Sequence, residues 1–218
     1  MEPIAHLCVC DRVISFALKL TFVVTFLLSI SAAAQTPIKI TLANSTADEI
    51  KVKVQLERLL KTYDLSKWIA TSTIAIDEKT GIPHSHPVLT INTRHIKDDE
   101  LLLSTFVHEN MHWFVGREEG KIEAAVKEFK TMFPKVPITG PEGARDENST
   151  YVHIGVCYLE YRAMRELLGE LKAKQIMDFW ATDHYTWIYK TVLERPRDIG
   201  NIMFKYNLVP MDAKKPAE

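Results

Sequence analysis

The chain has 218 residues, of which 46% are hydrophobic and 25% charged, and these values are ordinary for a folded globular protein. This length suits one domain with a sizeable core and is short for two. The formal net charge is −1 and the chain has no basic block, which argues against nucleic acid as the main partner, because phosphate binding needs concentrated Lys and Arg.

The N-terminus has the arrangement of a secretory signal peptide. Residues 20–30 (LTFVVTFLLSI) are apolar and uncharged, basic residues precede them, and alanines at 32–34 follow. A positive region, an apolar region and small residues at a cleavage site are the three parts of such a signal. We therefore expect cleavage after Ala34, so that residues 1–34 are the signal peptide and residues 35–218 form one secreted or periplasmic domain.

An uncleaved membrane anchor is the alternative, because residues 13–30 are apolar apart from Lys19. The uncharged run is short for a membrane span of about 20 residues, so cleavage is favoured. No Cys follows the run directly, which argues against a lipid anchor. We expect no membrane attachment once the signal is removed.

Removal of the signal would leave a single cysteine. Cys8 and Cys10 lie within the predicted signal, and Cys157 is the only cysteine after it. One cysteine cannot form an intramolecular disulfide, so the fold is expected to depend on its hydrophobic core or on a metal.

The first part of the predicted domain mixes strands with one helix. Thr46 and Glu49 have the spacing of a capping box, which predicts a helix from there to about Tyr63. Runs rich in β-branched residues predict strands at residues 37–42, 68–77 and 87–94. Residues 78–81 form a turn between the last two strands, which are expected to be a hairpin or two neighbouring strands.

The pattern from Asp98 onward is helical. Acidic residues at 98–100 suit the start of a helix, and Gly116 is expected to end it. Residues 134–148 contain three prolines and two glycines and are predicted to be a loop. Further helices are predicted at 120–133, from Asn148 or Ser149 to Gly169, and at 172–180, 184–194 and 198–206. The predicted fold class is α+β, with a small N-terminal β-sheet packed on a mostly helical body.

The motif that indicates chemistry is His108-Glu109-Asn110-Met111-His112. Residues i and i+4 lie on one face of an α-helix, so His108 and His112 can present two imidazoles to a single ion. Neutral imidazoles suit zinc, and catalytic zinc sites usually have three protein ligands and a water. Glu109 would accept a proton from that water and pass it to the departing amine. The alternative that needs no metal is a core helix with two hydrogen-bonded histidines.

Residues 101–116 (LLLSTFVHENMHWFVG) resemble the active-site helix of zincin metallopeptidases. In that family the strand before this helix runs along the cleft and pairs with the substrate backbone, a place that residues 87–93 would take. The metzincin continuation, with a Gly and a His soon after the second His, is absent. The resemblance therefore implies a third zinc ligand from a later helix. Together with residues 140–161 the segment also resembles uncharacterised exported bacterial proteins, which implies no particular biochemistry.

Two residues of the long helix are candidates for the third ligand, His153 and Glu160. They lie seven residues apart, on the same face but about 10 Å apart along the axis, so only one is expected on the metal. We favour His153, with Glu160 orienting His108 or His112 by accepting an N–H. The opposite assignment stays open, with Glu160 on zinc and His153 stabilising an oxyanion. Either residue could also be a buried polar group with a hydrogen-bond partner.

Residues 183–189 (DHYTWIY) offer His184, Tyr185 and Tyr189 as donors to an oxyanion, although such aromatic spacing also occurs in cores. His84 and His86 alternate before a strand and could share a metal. Prolines on both sides indicate an exposed turn instead, so a second metal site there is not favoured.

Cys157 follows His153 by four residues, which raises the alternative of a cysteine nucleophile. Its apolar neighbours favour a buried thiol. The sequence thus predicts an exported zinc metallopeptidase, a hydrolase with a polypeptide substrate, and favours neither endopeptidase nor exopeptidase activity nor any oligomeric state. A non-catalytic exported binding module stabilised by zinc and a zinc-free helical protein are the alternatives.

Overall fold

The computed structural model describes residues 37–211, so the predicted signal peptide lies outside the described residues. The strands are β1 (Lys39–Leu42), β2 (Thr73–Ile76) and β3 (Leu89–Ile91). The helices are α1 (Ala47–Thr62), α2 (Asp99–Arg117), α3 (Glu119–Met132), α4 (Glu147–Leu168), α5 (Glu170–Asp183), α6 (Thr186–Glu194) and α7 (Pro196–Lys205). A small sheet near the start and a helical remainder confirm the α+β prediction.

The three strands form one parallel sheet in the order β1-β2-β3. Ile40 pairs with Ile74, and Ile76 pairs with Ile91. The expectation that the second and third strands are neighbours is therefore confirmed. The alternative of a hairpin is wrong, because the two strands run parallel. Both strands are also shorter than predicted, since only four residues of β2 and three of β3 enter the ladder.

Helix α1 begins at the expected N-cap, but its capping box is incomplete. Thr46 accepts a hydrogen bond from the Glu49 amide, as predicted. The Glu49 carboxylate does not return to Thr46. It accepts instead from Asn44 and from the Glu78 backbone amide, which joins the helix to the turn after β2. The Thr46 half of the capping box is thus present, and the bond from Glu49 back to Thr46 is replaced by bonds to Asn44 and Glu78.

Helices α2 and α4 form the centre of the helical body. Most of α2 from Leu102 to Met111 is buried, and so is nearly all of α4 from Thr150 to Met164. A helix that is buried on all sides belongs in the interior of a protein. The Asp98 side chain caps α2 by accepting from the Leu101 amide. The helix runs one residue past Gly116, close to the predicted end.

The N-cap of α4 is Asp146, not Asn148 or Ser149 as predicted. The Asp146 carboxylate accepts from the Ser149 amide at 2.7 Å. The helix ends at Gly169, as predicted, and this glycine has a positive φ of 86°. Asp146, Asn148 and Ser149 are all good capping residues within four positions, and the helix uses the earliest of them. Between residues 37 and 211, no helix combines the length and the apolar character that a membrane crossing needs.

Candidate metal centre

Helix α2 presents both motif histidines on one face. Nε2 of His112 lies 3.2 Å from Nε2 of His108, and the two ring centroids are 5.0 Å apart. Two ligands at zinc–nitrogen distances of about 2.0–2.1 Å in a tetrahedral site are about 3.3–3.4 Å apart. The spacing of these two nitrogens therefore fits a shared metal ion.

His153 of α4 completes the set. Its ring lies 4.7 Å from the ring of His112 and 5.9 Å from that of His108, between centroids. The ligand atoms of the three histidines all lie within 4.8 Å of one another. The His153 Nδ1 donates to the Ser149 carbonyl at 2.7 Å, which leaves Nε2 as the ligand atom. These three residues can bind a metal ion.

Glu160 lies beneath His108 and is completely buried. Its Oε2 accepts from His108 Nδ1 and from the Tyr189 hydroxyl, each at 2.8 Å. Its Oε1 accepts from the Ser104 hydroxyl, which in turn accepts from Trp180 Nε1 at 2.9 Å. The carboxylate thus fixes the His108 tautomer with Nε2 directed to the site, as partners of metal-binding histidines commonly do.

A second combination of side chains could also hold an ion. The ligand atoms of His108, Cys157 and Glu160 lie within 4.8 Å of one another. The Cys157 thiol is free and fully buried, and burial raises its pKa despite the hydrogen bond with His108. This deep position supports the buried-thiol interpretation over a nucleophile, since only the thiolate is reactive.

The electrostatics of the site keep two of the three histidines neutral. Burial, together with the neighbouring His108, lowers the pKa of His153 to about 3 and that of His112 well below its ordinary value. Burial also opposes the charged form of His108, but hydrogen bonds with Cys157 and Glu160 outweigh it and raise the pKa. Because a ligand imidazole must be neutral, the lowered pKa values of His112 and His153 suit them to a metal.

Glu109 projects into the same cavity and is 7% exposed. Burial raises its pKa, and the positive charges of His108 and His84 offset this only in part. Among residues 37–211 no group hydrogen-bonds its carboxylate. The Glu109 carboxylate therefore has both oxygens free and a pKa shifted upward by burial, as a residue that accepts a proton needs.

The centre opens into a cavity of about 800 Å³. All seven histidines of the described chain line it: His84, His86, His95, His108, His112, His153 and His184. His84 and His86 lie on the exposed turn that the sequence indicated. Neither belongs to a group of three potential ligands among the described residues, so the structure offers no second metal site at this turn.

The three candidate oxyanion donors have different positions. The Tyr185 ring is 4.5 Å from the His153 ring, between centroids, and the His184 ring is 4.8 Å from that of Tyr185. Tyr185 is in the left-handed region (φ 50°), a costly conformation for a residue with a side chain that is often found at functional sites. Tyr189 is fully buried and its hydroxyl donates to Glu160, so it supports His108 and does not face the cavity as a free donor.

His184 is held by a chain of hydrogen bonds through Asp183 to Arg94 that the sequence did not indicate. Its Nδ1 donates to Asp183 at 2.7 Å, and Asp183 forms a two-pronged ion pair with Arg94. The Arg94 hydrogen bond and that of His184 lower the pKa of Asp183 to about 2. Arg94 lies 89 residues earlier in the chain, so no local pattern points to it. Ser104 was also missed, although it precedes His108 by one helical turn.

Comparisons of the chain with protein-family models, with curated proteins and with solved structures find no match.

Proposed function

We propose that this protein is a zinc-dependent hydrolase that cleaves peptide bonds, with His108, His112 and His153 as metal ligands and Glu109 as general base. The observation that carries the proposal is the convergence of three imidazoles beside an unpartnered carboxylate in one cavity. A set of three protein ligands with an open position is typical of catalytic zinc sites, whereas structural sites usually have four.

The donor set fits zinc better than a hard cation. Imidazole nitrogens suit zinc and related transition metals, whereas magnesium and calcium prefer oxygen ligands. A bound zinc ion would polarise a carbonyl group and lower the pKa of a water molecule. Glu160 would keep the His108 ring in its binding orientation, and the Ser149 carbonyl would do the same for His153.

Glu109 would move the proton. It lies one residue after His108 on the helix and faces the cavity without a protein partner, so it can accept a proton from an attacking water. It can then return this proton to the amine that leaves. Tyr185 and His184 border the cavity beside His153, where a hydroxyl or an imidazole N–H could donate to an oxyanion.

A peptide is the proposed substrate because a polarised carbonyl, a carboxylate proton carrier and donors for an oxyanion together suit amide hydrolysis. Export through the N-terminal signal is part of the proposal and rests on the sequence of residues 1–34. The natural substrate would then be met in the periplasm or outside the cell.

The test compares the wild type with Glu109→Gln. Both proteins should bind about one zinc ion per chain, measured by elemental analysis, because Glu109 is not a ligand. Only the wild type should hydrolyse a mixture of short fluorogenic peptides. If a zinc-loaded wild type and the variant are equally inactive on every peptide, the zinc stabilises a non-catalytic module and the enzyme proposal is wrong.

A further inference from the structure

The outer edge of the sheet, beside the metal centre, is occupied by the chain itself. Residues 83–87 (PHSHP), here called the edge segment, run antiparallel to β3. The Thr90 amide donates to the His84 carbonyl at 2.8 Å, and the His84 amide donates to the Thr90 carbonyl at 3.1 Å. Thr90 is the central residue of β3, and its backbone groups are the ones directed away from β2. An incoming strand therefore finds both groups already bonded.

Contacts from the metal-binding helix fix the edge segment in place. Trp113, the residue after His112, donates its indole N–H to the Ser85 carbonyl at 2.7 Å. The His86 ring stacks on the Trp113 ring, with 4.1 Å between centroids. The Asn92 side chain also donates to the Gly81 carbonyl, just before the segment. These contacts make the segment a wall of the cavity.

The edge segment cannot itself serve as the next strand of the ladder. Pro83 and Pro87 have no amide hydrogen. The backbone groups of His84 are bonded to Thr90, and the Ser85 carbonyl is bonded to Trp113. Recognition of an extended peptide by strand addition needs a row of free donors and acceptors. Such a row is missing along this wall.

The charged groups of the cavity favour one end of a peptide. Besides Glu109, its carboxylates are engaged: Glu160 with three donors, Asp183 with Arg94 and His184, and Asp146 with the cap of α4. The free N-terminal amine of a peptide could therefore pair with no carboxylate of the cavity that lacks a partner, except Glu109, the proposed base. Arg145 lines the cavity with a side chain that is 89% exposed. It touches Asp146 only through Nε, at 3.4 Å, and within residues 37–211 its two terminal nitrogens bond to nothing. A guanidinium fork of this kind suits a carboxylate.

We infer that the site takes short peptides or chain ends that enter with a free C-terminal carboxylate, and not the interior of an extended chain bound as an added strand. This inference rests on the proposed function and specifies its substrate class. The cavity size agrees with it, since about 300–1,000 Å³ is the usual range for a site that encloses one small ligand.

Amide hydrogen exchange, followed residue by residue by NMR on the purified zinc-loaded protein, tests the occupied edge without any need for activity. The Thr90 and His84 amides should exchange slowly, whereas the Ser85 amide, which has no acceptor among the described residues, should exchange fast and serves as the internal reference. Fast exchange at Thr90 would mean that the edge opens readily, and it would overturn the inference.

Peptide hydrolysis on the same sample tests the substrate class. Hexapeptides with a free C-terminus, whether or not the N-terminus is acetylated, should lose residues from the C-terminal end, as read by mass spectrometry. C-terminal amides should react with a kcat/KM lower by about two- to fivefold, the scale of an exposed ion pair. Arg145→Gln should remove this preference, and Arg197→Gln, an exposed arginine outside the cavity, should keep it.

The experiments distinguish a failure of the inferred substrate class from a failure of the proposed function. Internal cleavage of long peptides blocked at both ends, at the rate found for free ones, overturns the inference and leaves the proposed function intact. No cleavage of any peptide overturns the proposed function, and the substrate class falls with it, while the exchange data still report on the edge.

Discussion

Replacement of Glu160 by glutamine tests whether this residue orients His108 or binds the metal itself. Glutamine has nearly the same shape, so the buried position stays filled. Its carbonyl oxygen can take the place of Oε2 and still accept from His108 and Tyr189. Its amide group would then face the Ser104 hydroxyl, which already accepts from Trp180. The hydroxyl can accept a second bond, but its own hydrogen loses an acceptor.

The expected loss of metal affinity follows from these contacts. A hydrogen bond to a charged group contributes about 1.5–3 kcal/mol and one between neutral groups about 0.5–1.5 kcal/mol. Loss of the charge opposite His108 Nδ1 should therefore cost about 1–1.5 kcal/mol. That is about a five- to thirteenfold weaker affinity, near the lower end of the 10–100-fold effects typical of residues that orient a metal ligand.

Competition with a chromogenic zinc chelator of known affinity measures the ratio of dissociation constants. His153→Ala is the matched comparison, because it removes a proposed ligand from the same helix and should abolish stoichiometric binding. If Glu160→Gln loses zinc as completely as a ligand variant while His153→Ala keeps it, the assignment of the third ligand is reversed. Unchanged affinity in Glu160→Gln would refute the orienting role.

Three further predictions concern stability. Chelation should lower the melting temperature: a metal present at 100 times its Kd stabilises the folded state by about 2.7 kcal/mol, or roughly 5–11 °C for a domain of this size, and calorimetry that shows no change would contradict a site preformed in the fold. Burial opposes the charge of Glu49, but hydrogen bonds from Asn44 and from backbone amides lower its pKa to about 2 from 4.5. The stability that it contributes should be complete above about pH 4.5 and lost as the pH falls toward 2, and urea titrations of Glu49→Gln should lack this pH-dependent loss. A Cβ at Gly143 would lie 2.1 Å from the Pro137 carbonyl oxygen, so Gly143→Ala should cost about 1–3 kcal/mol in urea denaturation, whereas Gly120→Ala, with open space, should not destabilise.

The cavity is lined by seven histidines, which determine how its wall can hydrogen-bond to a ligand. Three imidazoles form the proposed metal set, and four others, His84, His86, His95 and His184, also line the cavity. A neutral imidazole has one N–H donor and one nitrogen acceptor, so each ring can both donate and accept a hydrogen bond. The wall can therefore contact a peptide through side chains, in place of the backbone ladder that the edge segment closes.

The sequence by itself determined the parts of this protein that depend on neighbours along the chain. Asp98 and the acidic first turn specify where α2 begins, and the helical period places His108 and His112 on one face. The long helix with Gly169 at its end follows from the same kind of local signal. Each of these features is governed by interactions within a few residues, so a pattern of residue types is sufficient to predict it.

Tertiary structure alone decided which distant groups meet. His153 and Glu160 are both candidates in sequence, with His153 favoured, and the packing of α4 against α2 puts one beside His112 and the other beneath His108. The parallel order of the sheet and the pairing of His84 with Thr90 likewise depend on the path of a connection whose residues carry no strand signal. The geometry of such long-range contacts follows from burying both helices and the sheet in one core. No local propensity encodes that packing, and for this reason the position of His153 beside the two motif histidines and the closed edge became visible only in the folded chain.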